Sequence, residues 1–292
     1  MQLKTTSLVA LLLFIAAALP AQFSGGFIAG MNFSRFDGPS EMDDSGNNLE
    51  DNTFKTGFHV GGRFSYKFTD AFGLRAEVLY SQKGTDYKYD GQSYFVFLTD
   101  DEELIFSNGT RNTTLRIVNS YLEIPAMAFV RFGRLEIGGG GYFAYLFRAT
   151  ASGNLNYRGV SESGSVIEPF DISLDYNYFT DGFERTDIGE TQPVLVDGEV
   201  VQVPTVIGAQ YEVLVEPEDR LLNRIDFGLI GNLAVYLNQG LFIGFRVNYG
   251  LVDLTKTERD ISRKMLDANN RPIFLDDFDR NLTLQASIGF GF

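Results

Sequence analysis

The sequence predicts an all-β chain: one eight-stranded antiparallel up-and-down transmembrane β-barrel with long loops at one end. Three observations carry that prediction. Apolar side chains recur with period two over stretches longer than the roughly five or six residues common in soluble strands. Short and long connections alternate along the chain. Beyond the N-terminus no segment is apolar enough for a membrane-crossing helix, although Phe and Tyr bring the aromatic content to 14%.

At the N-terminus, Lys4 precedes an uncharged apolar run over residues 8–19, followed by Pro20, Ala21 and Gln22. A spanning helix needs about 18 to 20 apolar residues, so residues 1–21 read as a signal peptide cut after Ala21, leaving 22–292 as the barrel. The chain has no cysteine, which removes a lipid anchor at the cut, disulfide bridges and thiol catalysis. A mean hydropathy of −0.05 suits strands that mix lipid-facing with water-facing residues. The net charge of −14 argues against nucleic acid as a partner, for which a basic footprint is expected.

The first strand carries Phe27, Ala29, Met31 and Phe33 outward with Asn32 and Ser34 inward. In the second, Phe54, Thr56, Phe58, Val60, Gly62, Phe64, Tyr66 and Phe68 alternate with Lys55, His59, Arg63, Ser65 and Lys67. After a turn at Thr69-Asp70-Ala71 the third has Phe72, Leu74, Ala76, Val78 and Tyr80 on one face and Arg75, Glu77, Ser81 and Lys83 on the other. The fourth sets Val118, Leu122, Ile124, Ala126, Ala128, Val130 and Phe132 against Asn119, Tyr121, Glu123 and Arg131. Past Gly133, the fifth sets Leu135, Ile137, Phe143, Tyr145 and Phe147 against Glu136, Tyr142 and Arg148. A third hairpin joins Ile225, Phe227, Leu229, Leu233 and Val235 through Asn238-Gln239-Gly240 to Leu241, Ile243, Phe245, Val247 and Tyr249, with Arg224, Asp226, Asn232, Arg246 and Asn248 facing the other way. The eighth strand, residues 282–292, closes on the first.

The long connections are expected over 37–53, 85–115, 150–222 and 255–278. Outer-membrane barrels combine short periplasmic turns with long external loops, so both termini are expected in the periplasm. Alternation alone does not say which face is outward, and a soluble barrel would invert it. Bulky aromatics at strand ends (Phe54, Phe68, Phe72, Phe132, Phe147) and the final Phe292 favour the membrane.

The opening Gly25-Gly26-Phe27-Ile28-Ala29-Gly30-Met31-Asn32-Phe33-Ser34, the segment Tyr121-Leu122-Glu123-Ile124-Pro125 and Gly138-Gly139-Gly140-Gly141-Tyr142-Phe143, in that order, resemble the PorT-like outer membrane β-barrel domain proteins of the Bacteroidota. The resemblance spans nearly the whole mature chain. It implies an outer-membrane location and allows an accessory role in a secretion or envelope assembly, since PorT itself is associated with type IX secretion. The closing residues 282–292 resemble the signal read by the barrel-assembly machinery, with Phe290 and Phe292 its expected key residues and Ser287 where glycine is usual.

Candidate chemistry falls in three places. Arg63, Arg75, Glu77, Glu123, Glu136, Asp226 and Arg246 are expected inward, as an ion-pair network filling a barrel just wide enough for side chains. His59, the only histidine, is a candidate general base with a neighbouring Ser or carboxylate. The loops are acidic: residues 150–222 hold fourteen Asp or Glu against three Arg, residues 37–53 six acids and no base, and Asp100-Asp101-Glu102-Glu103 forms another run. Such runs suit a solvated surface or divalent cations shared with lipopolysaccharide, and no Asp-x-Asp-x-Asp-Gly loop sharpens the metal reading. Within 150–222, residues 173–178, 194–196, 200–203 and 211–215 alternate like strands around an Asp197-Gly198 turn, so this large insertion is expected to be a folded extramembrane β extension.

The reading is a non-enzymatic outer-membrane barrel presenting acidic loops, with no cofactor or metal. Its expected partners are membrane lipids, lipopolysaccharide, the assembly machinery and envelope or secretion proteins. A lipid A-modifying enzyme and a narrow channel or ligand receptor are the alternatives.

Overall fold

The computed structural model describes residues 23–181, 190–215, 221–238, 240–256, 260–275 and 277–292; the expected signal peptide and Gln239 of the third turn lie outside them. Among the described residues there are fourteen strands: β1 (Phe23–Asp37), β2 (Glu50–Lys67), β3 (Phe72–Leu98), β4 (Leu104–Phe132), β5 (Leu135–Ser161), β6 (Val166–Asn177), β7 (Thr191–Val196), β8 (Glu199–Pro204), β9 (Val206–Ile207), β10 (Ile225–Tyr236), β11 (Leu241–Gly250), β12 (Ile261–Leu266), β13 (Pro272–Phe274) and β14 (Arg280–Gly291). Eight of them, β1 to β5, β10, β11 and β14, form a ring in which every neighbour is antiparallel. The β1–β14 pair closes it from Gly26↔Gly291 to Asp37↔Arg280, and β5–β10 from Leu135↔Val235 to Tyr145↔Ile225. Closure leaves no strand edge facing hydrocarbon, where each unpaired backbone group would cost several kcal/mol.

The outward face is the apolar one. Phe27, Met31, Phe58, Phe64, Val78, Leu122, Ile137, Phe143, Leu229, Phe245 and Ile288 are all exposed, and so are the aromatics at strand ends, Phe54, Phe68, Phe72, Phe132 and Phe147. Inward positions Asn32, His59, Glu77, Lys83, Glu123, Asp226 and Thr283 are buried. A soluble barrel would have the opposite arrangement, so the ring is built for lipid. The two termini lie at one end, called here the terminal end. Its turns are tight: the Thr69 hydroxyl accepts from the Ala71 and Phe72 amides, Gly133 takes φ 60°, and the Asn238 side chain accepts from the amides of Gly240 and Leu241.

At the distal end the structure corrects two expectations. Residues 85–115 are not a loop: β3 continues to Leu98 and β4 starts at Leu104, paired in one register from Phe72↔Val130 to Leu98↔Leu104. Likewise β5 runs to Ser161 and pairs with β6. These distal halves carry polar residues outward (Asn112, Thr114, Arg116, Arg158) and apolar ones inward, which reads as loop to a search for lipid-facing residues. Residues 211–215 form no strand, because Tyr211, Glu212, Val213 and Val215 line a cavity instead of pairing. The hairpin β7–β8 is present, with Asp197 and Gly198 at φ 54° and 87° as a type I′ turn requires. It packs on the distal sheet around a separate core that includes Phe95, Phe97, Tyr157, Phe170, Ile172, Val196 and Val203.

One further correction concerns Arg148. The β4–β5 register slips between Ser120 and Tyr121, so that Phe147 and Arg148 both point outward and the expected inward position of Arg148 is lost. This is a β-bulge at the upper rim of the apolar band.

Candidate functional site

The lumen is built in layers. Nearest the terminal end, Arg75 donates both guanidinium Nη groups to Glu136 at 2.5 and 2.9 Å, and Arg131 adds a third contact to the same carboxylate at 2.7 Å. Arg63 stacks on the Phe242 ring at 4.1 Å and donates to the Tyr236 hydroxyl at 3.2 Å. Ile28, Leu79, Ala234, Tyr236 and Phe242 pack around these groups. One layer up, Arg246 pairs with Glu77 at 2.7 Å. Above that, Lys83 sits 2.7 Å from Glu123 and 3.9 Å from Asp226, with its ammonium over the Tyr142 ring. Asp226 also accepts from Asn281 at 2.8 Å and from the Tyr142 hydroxyl at 3.0 Å. All seven charged residues expected inward lie in these layers, none more than 4% exposed.

Sequence reasoning missed the partners. Lys83 has the inward parity on β3, yet nothing in the chain pattern shows that it meets Glu123 across the β3–β4 pair. Asn248, which donates to Glu123 at 3.0 Å, and Asn281 come from strands far away in sequence. Only the register brings them together.

His59 has two partners. Its Nδ1 lies 2.7 Å from the Asn32 amide oxygen and its Nε2 lies 2.9 Å from the Ser287 hydroxyl. With Asn32 accepting, the proton sits on Nδ1, and Nε2 is left to accept from Ser287. That order, a hydroxyl, an imidazole and an orienting amide, is the order of an activated serine. Here it is sealed. Asn32 and His59 are at most 1% exposed and Ser287 8%, so no acyl group reaches the hydroxyl as packed. Asn32 is further held by donating to Ser81 and to the Phe58 and Gln82 carbonyls, which marks the trio as an inter-strand clamp.

Above the lumen, the distal strands together with segment 206–215 and residues Thr255, Asp260, Ile261, Arg263, Leu275, Asp277 and Asp279 surround a cavity of about 310 Å³. Tyr87, Tyr94, Tyr176 and Tyr178 form much of its wall, with Arg111, Arg263 and several carboxylates among them. The acidic loops serve it structurally: Glu212 pairs with Arg263 at 2.8 Å, Glu41 accepts from Ser262 and the Arg263 amide, and Lys264 reaches Asp44 at 2.6 Å. Among the described residues no three His, Cys, Asp or Glu side chains converge as metal ligands.

The family model described as outer membrane protein beta-barrel domain matches residues 18–256. Among solved structures the chain is similar to Ail, the attachment invasion locus protein of Yersinia pestis, at 10% identity and a TM-score of 0.32, covering 93% of this chain and 99% of that one. Neisserial surface protein A is similar at 11% identity and 0.30, covering 92% and 97%, and OprG from Pseudomonas aeruginosa at 9% and 0.29, covering 93% and 97%. No curated protein sequence matches the chain.

Proposed function

Because the chain belongs to the outer membrane protein beta-barrel domain family, we propose that it is a sealed, non-enzymatic outer-membrane barrel whose working part is the folded extension at its distal end. The observation that carries this is the lumen: Arg63, Arg75, Glu77, Lys83, Glu123, Glu136, Asp226 and Arg246 are all buried in its layers, and the His59 cluster is closed to substrate. On this reading the termini face the periplasm, residues 1–21 are removed on export, and the extension faces the outside of the cell with lipopolysaccharide around its base. Purified protein in a planar bilayer is expected to show no steady single-channel steps. Large, stable steps would overturn the sealed barrel.

The resemblance to PorT-like proteins adds a role in an envelope or secretion assembly. Val166, Leu195 and Val200 support it, since these apolar side chains stand exposed on the extension, far from the lipid band. A photo-crosslinking residue at Leu195 or Val200 is expected to capture an envelope protein in native membranes. Capture of lipopolysaccharide alone would remove the assembly role and leave the barrel reading intact.

A further inference from the structure

The wall of the cavity above the lumen carries charges of both signs. Asp260, Asp277 and Asp279 crowd one another, with Glu50 beside them. Burial first, then the hydrogen bond and charge of Asp277, push Asp260 up to about 8; burial and the neighbouring carboxylates push Asp279 up to about 7. Arg263 is paired with Glu212, while Arg111 donates to the Tyr94 carbonyl at 3.0 Å and has no carboxylate partner among the described residues. The Arg111 Nε is buried without an acceptor. Thr113, only 8% exposed and part of the same wall, has a hydroxyl with no hydrogen-bond partner.

Three features select the ligand class. The volume falls in the range of small-molecule sites, about 300 to 1,000 Å³. Among the described residues the carboxylates gather without metal-ligand convergence and share the cavity wall with tyrosine rings, which suits an organic ammonium held by charge and ring faces. Arg111 offers a planar fork to a carboxylate. We propose that this cavity binds a small zwitterion, an amino acid or short peptide, with its ammonium among Asp260, Asp277 and Asp279, its carboxylate on Arg111 and its apolar body against the tyrosines. The inference goes beyond the presenting role of the extension and holds whether or not the lumen conducts.

The test is isothermal titration of the full chain, folded in detergent micelles, with leucylphenylalanine, its N-acetyl analogue and its C-terminal amide. The free dipeptide is expected to bind, and loss of either charge to weaken it by about tenfold or more. Arg111→Gln should lower the free dipeptide to the level of the amide, and Asp279→Asn should lower the free dipeptide and the amide but not the N-acetyl form. Between pH 5.5 and 7.5 affinity for the free dipeptide should rise, because the aspartates must give up protons to receive the ammonium. The variants' heat-modifiable bands on semi-native gels report the fold. Equal binding of all three probes, binding of the N-acetyl form alone, or no binding at millimolar concentration would each overturn the proposal.

Discussion

Along single strands the membrane section and the distal extension are mirror images in polarity. In the lower half of β5 the exposed residues are Ile137, Phe143, Tyr145 and Phe147 and the buried ones include Glu136 and Tyr142; in the upper half Asn154 and Arg158 are exposed and Leu155 and Tyr157 are buried. The backbone is the same antiparallel ladder in both. What differs is the solvent, and it decides which set of side chains is stable outside. The lower half holds its interior together with buried ion pairs, and the upper half with a conventional apolar core. The two halves should therefore fail in different ways.

The largest expected effect is on closure. Phe292 donates to and accepts from Gly25 at 2.8 and 3.1 Å, and its ring lies 6.0 Å from that of Phe27. Replacing Phe290 and Phe292 by Ser is expected to abolish most of the heat-modifiable folded band and leave protease-sensitive chains in the periplasm, with Ser34→Ala as control; wild-type levels in the outer membrane would withdraw the terminal-signal reading. Next is Glu136→Ala, which leaves Arg75 and Arg131 without their carboxylate. Stranding buried charges costs about 3–5 kcal/mol, read as a lower urea midpoint for refolding into micelles with both halves affected. Phe170→Ala removes a ring packed against Phe95, Phe97 and Tyr157. The loss is about 3–5 kcal/mol of local stability, expected as proteolysis of the extension while the barrel band persists. Simultaneous loss of both would show that the halves do not melt separately.

The smallest effect is with pH. Asp260 and Asp279 have folded-state pKa values raised above the ordinary 3.8, to about 8 and about 7, chiefly by burial. Their contribution is therefore fully present below about pH 4 and is lost as pH rises through 7 to 8. Hydrogen exchange over residues 260–279 should quicken between pH 5.5 and 8.5, and Asp260→Asn with Asp279→Asn should flatten that dependence. A pH-independent profile in the parent protein would contradict the buried, mutually crowded carboxylates.

The same inversion explains what could be read from the chain. Where lipid surrounds the strand, rows such as Phe58, Val60, Phe64 and Leu74, Ala76, Val78 announce length and facing together, and all eight ring strands and three turns follow. Beyond the rim, outward Asn, Thr and Arg look like loop residues, so the continuation of β3, β4 and β5 was not legible. Residues 211–215 show the converse: their alternation serves a cavity wall. The lumen charges were legible as inward, but pairs such as Lys83 with Glu123 need the register. The cavity needs side chains from every part of the distal end, and no local pattern signals it.

The bulge at Phe147 and Arg148 works as a phase shifter. Even-numbered residues of β5 face the interior below it and odd-numbered ones above it, so the lipid-facing and water-facing codes are written in different reading phases of one strand. A second strand, β4, keeps one phase throughout and changes only its composition. Grafting a foreign extension onto this barrel thus has a parity rule: the joint on β5 must carry the slip or an odd change in length, while the joint on β4 must carry an even one, and any other splice would turn a hydrophobic core out to water.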